Sequence, residues 1–184
     1  MRSLEDHLLI AMPAMGDPNF NEAVAYICKH DQDGALGIVI NKPTDMVVSD
    51  VFQQLSLDVQ ANVAANDLVL MGGPVQPDRG FVLHRSASDF DSTFDPAAQI
   101  KVTISQDILA TMARGEGPSP ALIALGYAGW AAGQLESELA GNAWLSVPAD
   151  PAVVFDTPFE QRWTAAAGLL GVDIHQMTNY AGHA

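Results

Sequence analysis

The side chain best suited to nucleophilic or redox chemistry in this 184-residue sequence is its single cysteine, Cys28. Side chains of a β-strand point alternately to two faces, so a strand over residues 23–30 would place His30 on the same face as Cys28 and Lys29 on the other. A histidine beside a cysteine lowers the pKa of the thiol and makes it more reactive. No third group that would orient this histidine can be named. A reactive thiol and a buried cysteine that packs as a small apolar side chain both remain open.

A second candidate site is the glycine-rich stretch from Gly126 to Glu136. An apolar run over 121–125 precedes it and a helical pattern follows, so we predict a strand, a tight turn at 126–129 and a helix. Free N–H groups at the helix start could bind an anion or a partner, or the glycines could simply permit a tight connection. The stretch matches neither the dinucleotide nor the phosphate-loop motif. Its candidate ligand-binding residues are Gly126, Tyr127, Gly129, Trp130, Gln134 and Glu136.

Two other apolar strands run into similar breaks, at Asn41-Lys42-Pro43 and at Gly72-Gly73-Pro74-Val75. If the strands that end near Ile40, Met71 and Leu125 are neighbours, the three breaks converge at one end of the sheet. We therefore predict a groove for a small ligand or a protein partner. Besides the glycine-rich stretch, its lining residues are Cys28, Asn41, Lys42, Gly72, Gly73 and Pro74.

Metal and serine-hydrolase sites are not indicated by the sequence. The five histidines show no short ligand spacing. Asp31 and Asp33 begin like a calcium loop, but Lys42 occupies the position where such a loop needs a glutamate. No Gly-x-Ser-x-Gly motif occurs. We expect neither a metal nor a cofactor.

The composition is that of an acidic globular protein. Asp and Glu number 22 against 8 Lys and Arg, which gives a net charge of -14. Nucleic-acid binding needs a basic surface, so direct DNA binding is not expected. No apolar run approaches the roughly 20 residues of a membrane helix, and the N-terminus is unlike a signal peptide. We predict one cytoplasmic domain over residues 1–184, without membrane association.

The elements that would position these residues begin as hairpins and continue as strand–helix pairs. Asp33-Gly34 is typical of a tight hairpin turn, here between strands at 23–30 and 36–40. This mixture predicts an α+β fold, a single compact domain with a mixed, largely antiparallel β-sheet flanked by short helices.

Three further elements are predicted in the second half of the chain. The polar residues 86–98 are expected to form a loop, and residues 153–155 a short strand. Thr157, Pro158 and Glu160 are typical of a capped helix start, so the last helix is predicted to begin at Pro158.

Several stretches together resemble one bacterial family. They are residues 7–13, Asp17 with Phe20, CKHDQDGALGIVINKP at 28–43, GGPV at 72–75, GFVLH at 80–84, GYAGWAAGQLESE at 126–138, Trp144-Leu145 and GHA at 182–184. In combination they are similar to the AlgH/YqgE family over essentially the whole chain. The resemblance implies a small cytoplasmic α+β protein with a curved mixed sheet, a regulatory role of the kind proposed in alginate synthesis, and no established enzymatic activity. Lys29 stands where the family usually has an acidic residue, which weakens the transfer of a thiol role to Cys28.

The leading hypothesis is a non-enzymatic binding or regulatory module, with a link to transcriptional regulation implied by the resemblance. The alternative is an enzyme or redox sensor that uses Cys28 with His30.

Overall fold

The computed structural model describes residues 2–60, 66–85, 90, 93–97, 99–104 and 106–177, with the backbone alone at 93–97. The strands are β1 His7–Ala11, β2 Val24–Asp31, β3 Gly34–Val39, β4 Pro43–Val47, β5 Leu68–Met71, β6 Val75–His84, β7 Thr93–Ala97, β8 Ile100–Thr103, β9 Ala121–Ala131 and β10 Trp144–Pro148. The α-helices are α1 Val48–Gln54, α2 Gln106–Ala113, α3 Gln134–Ala140, α4 Arg162–Gly168 and α5 Ile174–Met177.

The strands form one mixed, open sheet with the order β10-β1-β2-β3-β9-β6-β8-β7. β5 pairs in parallel with β9 and antiparallel with β4, and the other pairs are antiparallel. The predicted α+β class is confirmed. The long β9 holds the sheet together, because it pairs with β6 along one edge and with β5 and then β3 along the other.

The hairpin predicted at Asp33-Gly34 is present, and a β-bulge interrupts its first strand at Cys28. A bulge sets two residues against one, so the side chains that follow it change face. Cys28 packs in the same core cluster as Tyr26, whereas His30 pairs with Ala35, which packs against the cluster on the other side. The prediction that Cys28 and His30 share a face is therefore wrong.

The turn predicted at 126–129 is also wrong, because β9 continues through it to Ala131. Gly126 has a φ of 75° but lies inside the strand. The alternation persists beyond it, with Ala128 and Trp130 buried. The chain turns only at Gly133, with a φ of 74°, directly before α3.

Three other predicted elements differ from the structure. Within the predicted loop 86–98, residues 93–97 form β7, while 86–89, 91, 92 and 98 lie outside the described residues. The predicted strand at 153–155 is a π-helix, Ala152–Asp156. The helix predicted from Pro158 is α4, which begins only at Arg162 after a 3₁₀ turn at Phe159–Gln161, because the Thr157 hydroxyl donates to the Ala152 carbonyl instead of capping a helix. It is not the last helix, since α5 follows it.

Three apolar clusters form the core. One lies between the sheet and α4, and includes Tyr26, Phe81 and Trp163. A second packs α3 against the opposite face near Trp130. The third lies under α1 and α2.

Within the described ranges, no helix is both long and apolar enough to cross a bilayer. The same ranges bring together no group of three or more His, Cys, Asp or Glu side chains that could hold a metal ion.

Candidate functional site

The glycines at 72, 73 and 126 form a close crossing of two backbone segments. β5 and β6 lie on opposite edges of β9, so the three residues between them must pass over β9. Gly72 N donates to Leu125 O at 2.7 Å. A Cβ atom on Gly73 would overlap the backbone of Tyr127, and one on Gly126 would overlap the carbonyl oxygen of Gly73. These glycines therefore have a structural role, because only a residue without a side chain permits this approach.

Asn41 and Lys42 lie beside this crossing, and their side chains bind the backbone. The Asn41 Oδ1 accepts from Val24 N at 2.8 Å, and its Nδ2 donates to Glu22 O at 2.8 Å. Lys42 Nζ donates to Asn21 O. The Lys42 carbonyl in turn accepts from Met71 N at 2.7 Å, so the three strand breaks are indeed neighbours. The amide group of Asn41 and the ammonium group of Lys42 are therefore already hydrogen-bonded to the backbone.

Cys28 lies in the apolar core with 3% of its surface exposed. Its Sγ donates to the Tyr26 carbonyl at 3.8 Å. Burial raises the pKa of the Cys28 thiol far above its usual range. The thiolate, which is the reactive form, is therefore strongly disfavoured at this position.

His30 forms a hydrogen-bonded pair with Glu136. Leu4 N donates to Nδ1 of His30 at 3.0 Å, so the other ring nitrogen carries the proton and donates to Glu136 Oε1 at 2.8 Å. Hydrogen bonds from the Glu136 backbone N–H and from His30 lower the pKa of this carboxylate. The pair joins the N-terminal segment, β2 and α3, which gives it a positioning role in the fold.

Sequence reasoning missed Glu138, which organises the polar groups around α3. Its Oε2 accepts hydrogen bonds from the indole nitrogens of Trp130 and Trp144, each at 2.8 Å. Its Oε1 accepts from Gln134 Nε2 at 3.0 Å. Both indoles are buried, and Phe20 packs against them. The predicted site residues Trp130 and Gln134 thus already have partners within the protein.

A cleft with a volume of about 690 Å³ lies elsewhere in the described part of the structure. It opens between the loop that joins α2 to β9 and the segment that leads into α4. None of the predicted ligand-binding residues line it. Its walls are formed by Val48, Asp67, Leu68, Met112, Gly115, 117–123, 155–160 and Arg162.

Arg162 is the buried charge of this cleft, with 2% of its surface exposed. Its Nε donates to Thr157 O at 2.9 Å, and its Nη1 donates to the Ile40 carbonyl. The guanidinium carbon lies 4.5 Å from the centre of the Phe159 ring, a cation–π contact. Burial lowers the pKa of Arg162 to about 10, so the side chain is charged at neutral pH.

The rim of the cleft carries the opposite charge, because Asp67, Asp156 and Glu160 line it and are exposed. Within the described part of the chain, no carboxylate oxygen comes within 4.0 Å of the Arg162 guanidinium. A sequence signal for this site did exist, since Arg162 is one of only 8 Lys and Arg residues and lies within an apolar helical pattern.

Comparison with known proteins identifies the family of this chain. The family model described as AlgH-like (DUF179) matches residues 8–175. The chain belongs to the AlgH-like family. A UPF0301 protein of Saccharophagus degradans is 50% identical over 182 residues, covering 99% of this chain and 89% of the relative. A UPF0301 protein of Xanthomonas axonopodis pv. citri is 49% identical over 181 residues, covering 98% and 96%.

Solved structures agree with this assignment. The solution structure of the AlgH protein from Pseudomonas aeruginosa superposes with a TM-score of 0.80 at 47% identity, over 100% of both chains. A Corynebacterium diphtheriae protein shares the fold alone, with a TM-score of 0.74 at 19% identity, over 96% of this chain and 92% of the other. The resemblance to the AlgH/YqgE family is confirmed.

Proposed function

We propose that this AlgH-like protein is a non-enzymatic binding module whose small ligand occupies the cleft beside Arg162. The observation that carries this proposal is a single buried guanidinium in a cleft that has apolar walls and an acidic rim. Ligand sites typically have volumes of roughly 300–1,000 Å³, apolar walls and a few well-placed polar groups. The cleft volume of about 690 Å³ falls in that range. Leu68, Leu122 and Phe155 supply apolar surface.

The lining does not offer the groups that usually activate a serine nucleophile. The described lining residues include no His, Cys or Lys, so the Ser119 hydroxyl has no imidazole or amine beside it to act as a base. The Thr157 hydroxyl donates to the Ala152 carbonyl. Cys28 lies in the core and shares no face with His30, so no observation favours the alternative of a thiol enzyme or redox sensor.

The backbone at the cleft also supports this location. The π-helix Ala152–Asp156 leads directly into the wall formed by Thr157 to Phe159. Single π-helical turns are rare and occur frequently at functional sites.

The groove predicted around Asn41, Gly73 and Gly129 remains a separate prediction, as do a protein partner, a regulatory role and a cytoplasmic location. In a regulatory protein, occupancy of the cleft would be the signal that a partner reads.

Chemical-shift mapping by NMR with a library of small fragments tests the proposal on the intact protein. We expect hits to shift the amide resonances of the non-proline residues in 115–123 and 155–162. Leu68→Trp should block those hits, because Leu68 lines the cleft. Met71→Trp is the matched control, since Met71 lies on the same strand, is similarly exposed (45% against 38%) and lies outside the cleft. Shifts confined to Gly72, Gly73 and Tyr127 would favour the predicted groove, and a library without hits would contradict the proposal.

A further inference from the structure

The guanidinium of Arg162 has donors that the protein leaves unused. An arginine side chain carries five N–H donors, and here Nε and Nη1 each donate to one carbonyl group. Nη2 makes no hydrogen bond within the described part of the chain. In the same part of the chain, His84 Nδ1 is the one side-chain polar atom that is both buried and unbonded. Nη2 of Arg162 therefore retains contact with solvent.

Arg162 is one of the residues that line the cleft, and almost all of its surface is buried. The small exposed part, to which Nη2 contributes, therefore faces the cleft. A buried arginine is usually paired with a carboxylate, since removing a charge from water is costly. Among the described residues, the partners of the Arg162 guanidinium are two carbonyl groups and the Phe159 ring, with no carboxylate. Burial lowers the pKa of Arg162 only to about 10, so the side chain is protonated at neutral pH. Its positive charge has no counter-ion within the part of the chain that the structure describes.

We propose that Arg162 receives a carboxylate group of the ligand, and that the ligand is a monocarboxylate with an apolar or aromatic body. This inference rests on the proposed function. The planar guanidinium matches the geometry of a carboxylate. The apolar body would pack against Leu68, Leu122 and Phe155.

The charge of the rim favours a carboxylate over a phosphate. A phosphate monoester carries a charge of roughly -1.5 to -2 at neutral pH. Asp67, Asp156 and Glu160 line the entrance, and the whole protein carries -14. Coulomb energy is proportional to charge, so a dianion doubles both its attraction to Arg162 and its repulsion by these carboxylates. The carboxylates outnumber the guanidinium by three to one, so the added charge increases the net repulsion at the entrance.

Three probes with one common ring separate these possibilities. The protein is titrated at neutral pH with 3-phenylpropionate, with its neutral amide and with phenyl phosphate, and binding is followed by NMR. We expect 3-phenylpropionate to bind at least about ten-fold more tightly than the amide, the size expected for a charge-assisted hydrogen bond. It should also shift the Nε–Hε resonance of Arg162.

Variants assign the preference to Arg162. Arg162→Gln should reduce the preference for carboxylate over amide to about one, and Arg162→Lys should retain part of it. Arg79→Gln is the control for charge, because Arg79 lies over the Phe81 ring outside this cleft. If Arg162→Gln does not fold, the inference is still tested by the unmodified protein, through its preference for 3-phenylpropionate over the amide and through the shift of the Arg162 Nε–Hε resonance.

The outcomes separate this inference from the proposed function. Equal binding of carboxylate and amide in the cleft would overturn the carboxylate inference and leave the binding module intact. Tighter binding of phenyl phosphate would overturn it in favour of a phosphate ligand. No binding of any probe in the cleft would contradict both.

Discussion

The guanidinium of Arg162 donates a hydrogen bond to the carbonyl oxygen of Ile40, which lies 122 residues earlier in the chain. A second hydrogen bond, 2.9 Å long, joins its Nε to Thr157 O. The cation is therefore fixed between the end of β3 and the segment before α4. A ligand would meet a preorganised group, which reduces the entropy that is lost on binding.

The backbone crossing predicts that Gly73→Ala is strongly destabilising. The added Cβ would overlap the backbone of Tyr127, and Gly73 also has a φ of 156°. We expect the free energy of unfolding to fall by about 3 kcal/mol or more, measured by urea denaturation. Gly80→Ala is the control, because a Cβ there meets nothing within 4 Å and should change stability by less than about 1 kcal/mol. Equal effects at the two positions would show that the crossing is not close.

The role of Glu138 predicts a loss of stability when its carboxylate is removed. Glu138→Ala leaves the indole N–H groups of Trp130 and Trp144 without their acceptor, at an expected cost of about 2–4 kcal/mol. The tryptophan emission should change as well. Ser137→Ala, at the exposed neighbouring position, should leave both unchanged. A stable Glu138→Ala protein with unaltered emission would contradict this assignment.

Burial of Cys28 predicts slow alkylation of the native protein. Because burial raises the pKa of the thiol, iodoacetamide should modify Cys28 no faster than the protein unfolds between pH 7 and 9. Modification should be fast in denaturant. The measurement is the alkylation rate across pH, followed by mass spectrometry. Rapid alkylation of Cys28 in the native protein, with a rate whose pH dependence has its midpoint near neutral pH, would support the redox-sensor alternative.

His84 predicts a loss of stability on acidification. Burial, with the charge of Lys101, lowers the pKa of His84 below its ordinary value of 6.5. The unfolded state therefore binds a proton first, and the free energy of unfolding falls as the pH drops below 6.5. The slope is at most about 1.4 kcal/mol per pH unit for this one group. His84→Gln, which still offers Thr103 a partner, should flatten the profile between pH 7 and 5. An unchanged slope would show that His84 does not titrate in this way.

Local signals in the sequence predicted the local parts of this fold. Asp33-Gly34 fixes a hairpin through its own backbone preferences. The strand through Gly126 depends instead on a crossing by Gly72-Gly73, more than 50 residues away, and glycine alone does not distinguish a turn from a close approach. In the structure, buried Ala128 and Trp130 alternate with exposed Gly129, as the residues of a strand do.

The candidate site was less predictable than the fold for the same reason. The bulge at Cys28 inserts one residue, so the side chain of His30 points to the opposite face of the sheet. No residue type in this stretch predicts the bulge. The cleft joins Leu68, the loop at 115–121 and Arg162 from three distant segments. Only the tertiary arrangement brings them together.

Nuclear Overhauser effects between 3-phenylpropionate and the protein locate the bound ligand directly. A ligand in the cleft should give contacts from the phenyl ring to the methyl groups of Leu68, Leu122 and Met112, which line the cleft. Leu68→Trp should abolish these contacts and Met71→Trp should preserve them. Contacts confined to residues outside the cleft, or none at millimolar concentrations of the probe, would contradict the claim that this cleft is the ligand site.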